Sequence, residues 1–599
     1  MLNKGIRLLI LAIGCSSLIA CKPASPDDSG ASRNGEALQH GFTLSQSEFN
    51  GLSKEDQFMV ANKALSTMYR GLPADEFFDL TQGLDDPQVQ YGDFIKRTQT
   101  ALQTKMSVDQ LKENEARIFG KEALDESDSI PARFDVSSDN YQHLHAMARM
   151  QGYPLGNEQF VQWMSYFLAN TIMFSPADEM ESTNYQDTAR VLKYLQVSLS
   201  DNTPIRDVVR GWLNNLSRWR VSRSPENHAL EMFELYLGVF NDTEEEQQNT
   251  LNGGKACSAW KLSDASDDYQ LESDPNVLEG TELVTVFNKG ISKCSQLYDL
   301  VAGDPRLVPR AIEVIVNYFL DGSGIDAKQK LIQDIVTSGA QTFQDVFLGV
   351  IFSKEFLLHS SRPKTFEENA FGFLNSMHWT PRARQYPLND DVLYYMLVAG
   401  ANRPISIDKM GWASMEYKIG RTPFLPMDAL SFATYHKAIR EQVLLNQRAF
   451  DGCNHPSNEY RSCRSIKTDE ELATDPLLNF PVHDGAYYVA GTENLKPELE
   501  NLTAAEFIDF IFLSSLGRRA TDIEMAALIE EGGDDIEDDS GDVIDNNREY
   551  LVRDDDDVYQ LRKTDGEQLL WENRTDDFGD LILDYISRIP EFYYYRTAS

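Results

Sequence analysis

Apolar residues recur at helical spacing along most of this chain. Beyond Lys54, the residues Phe58, Ala61, Leu65 and Met68 stand three or four positions apart, which places them on one face of a helix. Similar stretches occur at 138–151, 157–172, 185–199, 204–216, 226–238, 306–320, 324–337, 341–358, 387–399, 426–449, 503–516 and 576–588. Strand-like alternation is scarce. The sequence therefore predicts a mainly α fold, with a multi-helical orthogonal or bundle-like body, loop-rich insertions and a smaller C-terminal helical module.

The N-terminus is typical of an exported protein. A positively charged start precedes an apolar run, and Leu18-Ile19-Ala20-Cys21 resembles the lipobox of bacterial lipoproteins, in which the cysteine is lipidated. Cys15 is a second candidate, but only Cys21 has the preferred leucine three positions before it. Lys22 follows, and in the bacterial sorting rule a residue other than aspartate favours the outer membrane. We therefore expect a lipid-anchored envelope protein, facing either the periplasm or the surface; an ordinary cleaved signal is the alternative.

Composition suggests five segments. Residues 1–20 form the predicted lipoprotein signal peptide, and 21–45, rich in Pro, Ser, Gly and Asp, form a flexible tether. Residues 46–450 form the helical body, 451–500 a disulfide-stapled loop region, and 501–599 an acidic C-terminal helical module. No stretch after the signal approaches the length of apolar sequence that a spanning helix needs.

The chain is strongly acidic. It has 94 Asp and Glu against 55 Lys and Arg, a formal net charge of −39. Such a surface repels phosphate backbones, so we expect no nucleic-acid partner. The charge instead suits cationic partners or divalent ions.

Four cysteines beyond the anchor suggest two disulfides in an oxidising compartment. Four cysteines allow three pairings. We expect Cys257–Cys294 and Cys453–Cys463, because each pair falls in or beside one of two loop-rich insertions, 241–280 and 450–500. A zinc site is disfavoured, since the chain lacks a C-x-x-C motif and only His455 lies near Cys453.

Residues 224–238 contain the clearest candidate site. Ser224 suits a helix N-cap and Gly238 a C-cap. Asn227, Glu231 and Glu234 stand at i, i+4 and i+7, so they share one face. They are the catalytic candidates if this face lines a cleft. The interpretation that we favour is a structural network of capping and packing.

This segment resembles the N-E-N-x-A-x-E-L-x-E-L-x-T-L-G signature of the bacterial domain-of-unknown-function family 1800. The matching residues are Glu226, Asn227, Ala229, Glu231, Glu234, Leu235, Leu237 and Gly238. Similar elements follow in the family's order at 304–306, 316–319, 353–356 and 419–426, so the resemblance covers about 140–450. The family's G-W and H-D-x-x-x-K stretch has no clear counterpart. The resemblance implies an exported protein, and the family's activity is unsettled.

The segment 531–557 is rich in acidic residues and is a weak candidate for calcium binding. Asp535, Asp538 and Asp542 could supply oxygen ligands, but the spacing does not fit an EF-hand loop. We expect a solvated acidic loop, and no other cofactor.

Hydrolase and nucleotide-binding signatures are missing: the chain has no G-x-S-x-G, no H-E-x-x-H and no Walker loop. The sequence therefore favours a non-enzymatic cell-envelope lipoprotein that binds, or helps to assemble, another exported component. The alternatives are an envelope hydrolase with a cleft around Asn227, Glu231 and Glu234, or a divalent-ion-dependent attachment module.

Overall fold

A computed structural model describes part of this chain. The described residues are 40–69, 77, 81, 90–105, 157–169, 171–173, 185–215, 224–262, 271–273, 282–364, 380–381, 488–489, 502–533, 536–537, 543–545, 551–553, 559–561, 578–579 and 581–599. Of the interpretable residues, 70% are helical, which confirms the predicted mainly α fold.

The helices are numbered in chain order. They are α1 (Gln46–Asn50), α2 (Lys54–Tyr69), α3 (Tyr91–Leu102), α4 (Asn157–Ala169), α5 (Tyr185–Ser200), α6 (Ile205–Asn215), α7 (Pro225–Leu237), α8 (Glu244–Cys257), α9 (Cys294–Gly303), α10 (Leu307–Phe319), α11 (Ile325–Thr337), α12 (Phe343–Ile351), α13 (Ala504–Leu516) and α14 (Asp522–Gly533). A π-helix follows α12 at Glu355–His359, and a 3-10 helix lies at Pro590–Tyr593.

Short antiparallel hairpins supplement the helices. The paired strands are β1 (Trp260–Leu262) with β2 (Leu271–Ser273), β3 (Val284–Val286) with β4 (Lys289–Ile291), β5 (Thr380–Pro381) with β6 (Tyr488–Val489), β7 (Ile536–Glu537) with β8 (Val543–Asp545), and β9 (Leu551–Arg553) with β10 (Tyr559–Leu561). Each sheet described has two strands. These two-stranded sheets are too small to form a layer of their own, so helix-on-helix contacts build most of the core.

The prediction of a loop-rich insertion at 241–280 is wrong in its first half, where α8 forms. Thr243 caps α8: its Oγ1 accepts a hydrogen bond from the backbone N–H of Glu246, whose carboxylate accepts one from the N–H of Thr243. This capping box, with three glutamates in the first turn, offsets the low helix propensity of the two glycines near the end of α8. The helical stretches that spacing predicts also omit α1, α3, α9 and α14.

One apolar core runs through the described helices. α10 lies at its centre, because it packs against α7, α11 and α12 and buries residues on nearly every side. α4 packs against α3 and α5, while α8 packs against α7, α9 and the β3–β4 hairpin. The face predicted in α2, Phe58, Ala61, Leu65 and Met68, is fully buried in this core.

The two ends of the described chain join the same core. Residues 40–45 are predicted to belong to the flexible tether, and this is wrong: the N–H of Leu44 donates to the carbonyl of Phe352, and Leu44 is buried. At the other end, α13 packs against α2. The C-terminal helices therefore share a core with the N-terminal helix. The predicted boundaries at 450 and 500 lie outside the described residues.

No helix within the described ranges is long and apolar enough to cross a membrane. The predicted signal peptide, the lipidation site Cys21 and its alternative Cys15 all lie outside the described residues.

Candidate functional site

The three sequence candidates lie on the most open side of α7. Asn227, Glu231 and Glu234 are all half-buried. Seven of the thirteen residues of α7 are buried, with His228 and Phe233 among them. The structure therefore places the three side chains along one partly accessible strip, which we call the α7 strip.

Capping explains why α7 begins and ends where it does. Ser224 accepts a hydrogen bond at 3.1 Å from the backbone N–H of Asn227, and Pro225 occupies the first turn. Gly238 ends the helix in the left-handed conformation, with φ of 65°. The backbone of Asn227 thus has a structural role, as the sequence predicts.

The side chains of the α7 strip can accept hydrogen bonds or attract cations. Both glutamates already have interaction partners. Among the described residues, Glu231 and Glu234 do not join any cluster of three metal-ligating side chains. Within the described residues the strip is therefore a half-buried polar face that belongs to no cluster of three metal-ligating side chains.

Close packing fixes α7 against α8. A Cβ on Gly253 would lie 2.8 Å from the Cβ of Ala229, and a Cβ on Gly254 would lie 2.9 Å from backbone atoms of Glu226. Only glycine permits these distances without a shift of one helix. The end of α8 is thereby held beside the first turns of α7.

A disulfide fastens this helix pair to α9. Cys257 is the last residue of α8, Cys294 is the first of α9, and their Cα atoms are 4.4 Å apart. Both cysteines are fully buried. This confirms the predicted Cys257–Cys294 pairing. The predicted Cys453–Cys463 bridge lies outside the described residues.

A buried histidine adjoins the disulfide. His228 of α7 is 1% exposed, and its Nε2 lies 2.9 Å from the hydroxyl oxygen of Tyr298 in α9. The two rings meet edge to face with centroids 5.6 Å apart. A ring nitrogen of His228 and the sulfurs of Cys257 and Cys294 lie within 4.8 Å of one another. We call these three residues the His–Cys cluster.

The sequence prediction did not include His228. Helical spacing places it to one side of the predicted candidates, three positions before Glu231, and no spacing rule connects it with cysteines of α8 and α9. Only the tertiary packing of three helices brings these residues together. The calcium candidates Asp535, Asp538 and Asp542 lie outside the described residues.

No protein-family model matches this chain, and no curated protein and no solved structure is significantly similar to it. The resemblance to domain-of-unknown-function family 1800 therefore stays a prediction.

Proposed function

We propose that this protein is a lipid-anchored component of the bacterial cell envelope that binds another exported protein. The membrane anchor in this proposal is Cys21, the outer membrane is the favoured location, and the remote resemblance to family 1800 agrees with export. The binding role includes assistance in assembling the partner.

The Cys257–Cys294 disulfide is the observation that best supports an exported location. Disulfides persist in oxidising compartments and are rare in the reducing cytoplasm. This one joins two helices in the core, where it closes a segment with a sequence separation of 37. Such a bridge adds stability by restricting the unfolded chain. An exported lipoprotein would form this bridge after leaving the cytoplasm.

Charge and exposure support a binding role. The chain has a formal net charge of −39, and the α7 strip presents Glu231 and Glu234 on a partly accessible helix face. A partner with a basic surface would be attracted by the overall field and would gain its specific contacts at such a strip. The proposed partner is therefore an exported protein with a basic patch.

Metabolic labelling with a palmitate analogue tests the anchor. Wild type and Cys15→Ser are expected to incorporate the label, and Cys21→Ser is expected to lose it and to leave the membrane fraction. Label retained in Cys21→Ser would place the anchor elsewhere. No label in any of the three proteins would contradict a lipid-anchored component.

Crosslinking in intact cells, followed by purification from detergent-solubilised envelopes, tests the binding role. Wild type is expected to yield a discrete crosslinked species whose second component has a basic surface. Glu231→Gln combined with Glu234→Gln should reduce that species severalfold, and a thermal melt of the variant checks that it is folded at the temperature of crosslinking. The matched control is Glu245→Gln, which neutralises an exposed glutamate of α8 and should not change the yield. Absence of any specific crosslinked species would contradict the proposal.

A further inference from the structure

The His–Cys cluster contains the ligand types of a zinc site. Thiolate sulfur and imidazole nitrogen are the preferred ligands of Zn²⁺ in proteins. We propose that the Cys257–Cys294 disulfide is the oxidised state of a redox-dependent metal site, and that the reduced protein binds one zinc ion through Cys257, Cys294 and His228. This inference does not depend on the envelope location or on a protein partner.

The distances between the ligand atoms of the His–Cys cluster favour one zinc ion bound by all three residues. Zinc binds sulfur at about 2.3 Å and imidazole nitrogen at about 2.0 Å, so tetrahedral ligands stand about 3.4–3.8 Å apart. The three ligand atoms already lie within 4.8 Å of one another while the disulfide is closed. Reduction frees the sulfurs to separate to the distance that zinc requires. Rotation of the cysteine side chains supplies that movement while α7, α8 and α9 stay in place.

The surroundings support the histidine as a ligand. Metal-binding histidines usually form a hydrogen bond through the ring nitrogen that does not bind the metal, and this bond fixes the orientation of the ring. The contact of 2.9 Å between His228 Nε2 and the Tyr298 hydroxyl has this form and would leave Nδ1 as the ligand. The edge-to-face packing of the two rings holds the imidazole further. The three residues are buried, and they leave the fourth position of a tetrahedral zinc ion to a water molecule or another small ligand.

The position of Cys294 also suits a thiolate. It is the first residue of α9, and the preceding Lys293 provides no side-chain cap, so Cys294 lies at the positive end of the helix dipole. The positive end of a helix stabilises negative charge. The same feature would stabilise a zinc-bound thiolate at this end of α9.

The redox step is a thiol–disulfide exchange with a dithiol reductant. The S–S bond of Cys257 and Cys294 breaks and takes up two electrons and two protons, and the dithiol becomes a disulfide. Zinc then replaces the two thiol protons, which pass to solvent. The reverse exchange, with a disulfide as the oxidant, removes two electrons from the two thiolates, releases the ion and restores the bridge.

Metal analysis of the purified full-length chain tests the site. The protein is reduced with dithiothreitol, desalted without oxygen, incubated with Zn²⁺ and desalted again. Reduced wild type is expected to retain one zinc ion more per chain than the Cys257→Ser/Cys294→Ser variant, which keeps the other cysteines and all the surface carboxylates. Oxidised wild type should match that variant. Equal zinc in reduced wild type and the double variant would overturn the proposal.

The ligand role of His228 needs its own measurement. With Co²⁺ as the probe, reduced wild type should show thiolate-to-metal charge-transfer bands and tetrahedral d–d bands. His228→Phe, which keeps an aromatic ring against Tyr298, should lose the tetrahedral spectrum. Tyr298→Phe is the matched control: it keeps all three ligands and should weaken binding by about 10–100-fold, the usual effect of removing such a supporting hydrogen bond. Wild-type affinity in His228→Phe would overturn the assignment.

Two further measurements distinguish zinc binding by these residues from an effect of reduction on folding. X-ray absorption at the zinc edge of reduced wild type should give two sulfur ligands and at least one nitrogen ligand, and needs no variant. More than two sulfurs would overturn the proposal. Circular dichroism should show that the reduced protein keeps its helices when zinc is bound. Loss of helicity on reduction that zinc does not reverse would overturn it as well.

Discussion

Lys63 of α2 donates a hydrogen bond from its Nζ to the backbone carbonyl of Arg596, at 3.0 Å. The same Nζ donates to the carbonyl of Ser360 at 2.6 Å, just beyond the π-helix. It lies 5.1 Å from the ring centroid of Phe356 within that π-helix. One buried side chain thus joins the N-terminal helix, the π-helix region and the C-terminal segment.

We expect Lys63→Met to destabilise the protein by about 1–3 kcal/mol. Lys63 is 1% exposed, and its removal leaves the carbonyls of Ser360 and Arg596 without this donor. Urea unfolding followed by tryptophan fluorescence measures the change in midpoint. The control is Lys96→Met, since Lys96 is exposed on α3 and its removal should leave the midpoint nearly unchanged. Equal midpoints for the two variants would contradict the role of Lys63.

The ion pair between Arg518 and Glu524 should make stability depend on acid pH. Burial on its own raises the pKa of Glu524, but hydrogen bonds from Arg518 and Thr521 outweigh it and lower the pKa to about 2. Because the unfolded chain titrates near the usual value of 4.5, the pair stabilises the fold fully above that pH and loses its effect between about 4.5 and 2.

Glu524→Gln tests this dependence. The variant should melt at a lower temperature than wild type at pH 7, and the difference should shrink as the pH falls from 4.5 toward 2. Glu530→Gln is the control within α14, and it should melt like wild type across the range. A gap between Glu524→Gln and wild type that stays constant down to pH 2 would show that the carboxylate charge is not what stabilises this contact.

Local sequence rules succeeded where one helix face meets the core. Phe58, Ala61, Leu65 and Met68 are buried as predicted, and the caps of α7 at Ser224 and Gly238 form as predicted. These features depend on residues a few positions apart, so the sequence contains them directly.

The same rules failed where contacts between helices determine the structure. Two glycines and a polar composition suggested a loop at 241–280, but Gly253 and Gly254 are what allow α8 to approach α7 closely. The sequence analysis assigns no role to His228, because its neighbours Cys257 and Cys294 belong to other helices. A sequence pattern within one segment cannot predict a contact between residues of different helices.

Peptide mapping without reduction should find Cys453 and Cys463 in one peptide pair, as the sequence predicts, beside the bridge between Cys257 and Cys294. The short segment between Cys453 and Cys463 closes at low entropic cost, which favours this pairing over a crossed one. Mass spectrometry of proteolytic fragments, with free thiols blocked beforehand, distinguishes the two. Blocked Cys453 and Cys463 would contradict the second bridge and leave the first unaffected.

At the contact between α7 and α8, replacing a glycine by alanine has two opposing effects on stability. Alanine is a better helix former than glycine by about 1 kcal/mol, so Gly254→Ala would stabilise an isolated helix. In the protein the new Cβ would stand 2.8 Å from the Cγ of Glu226 and 2.9 Å from its Cα and N. Backbone atoms cannot move aside as a flexible side chain does, and overpacking of this kind costs about 1–3 kcal/mol. We therefore expect Gly254→Ala to lower the melting temperature. Gly303→Ala at the end of α9, where no atom beyond the adjacent residues and the backbone of α9 itself lies within 4 Å of the added Cβ, should leave it unchanged or raise it. If calorimetry finds Gly254→Ala as stable as Gly303→Ala, α7 and α8 do not pack as closely as described.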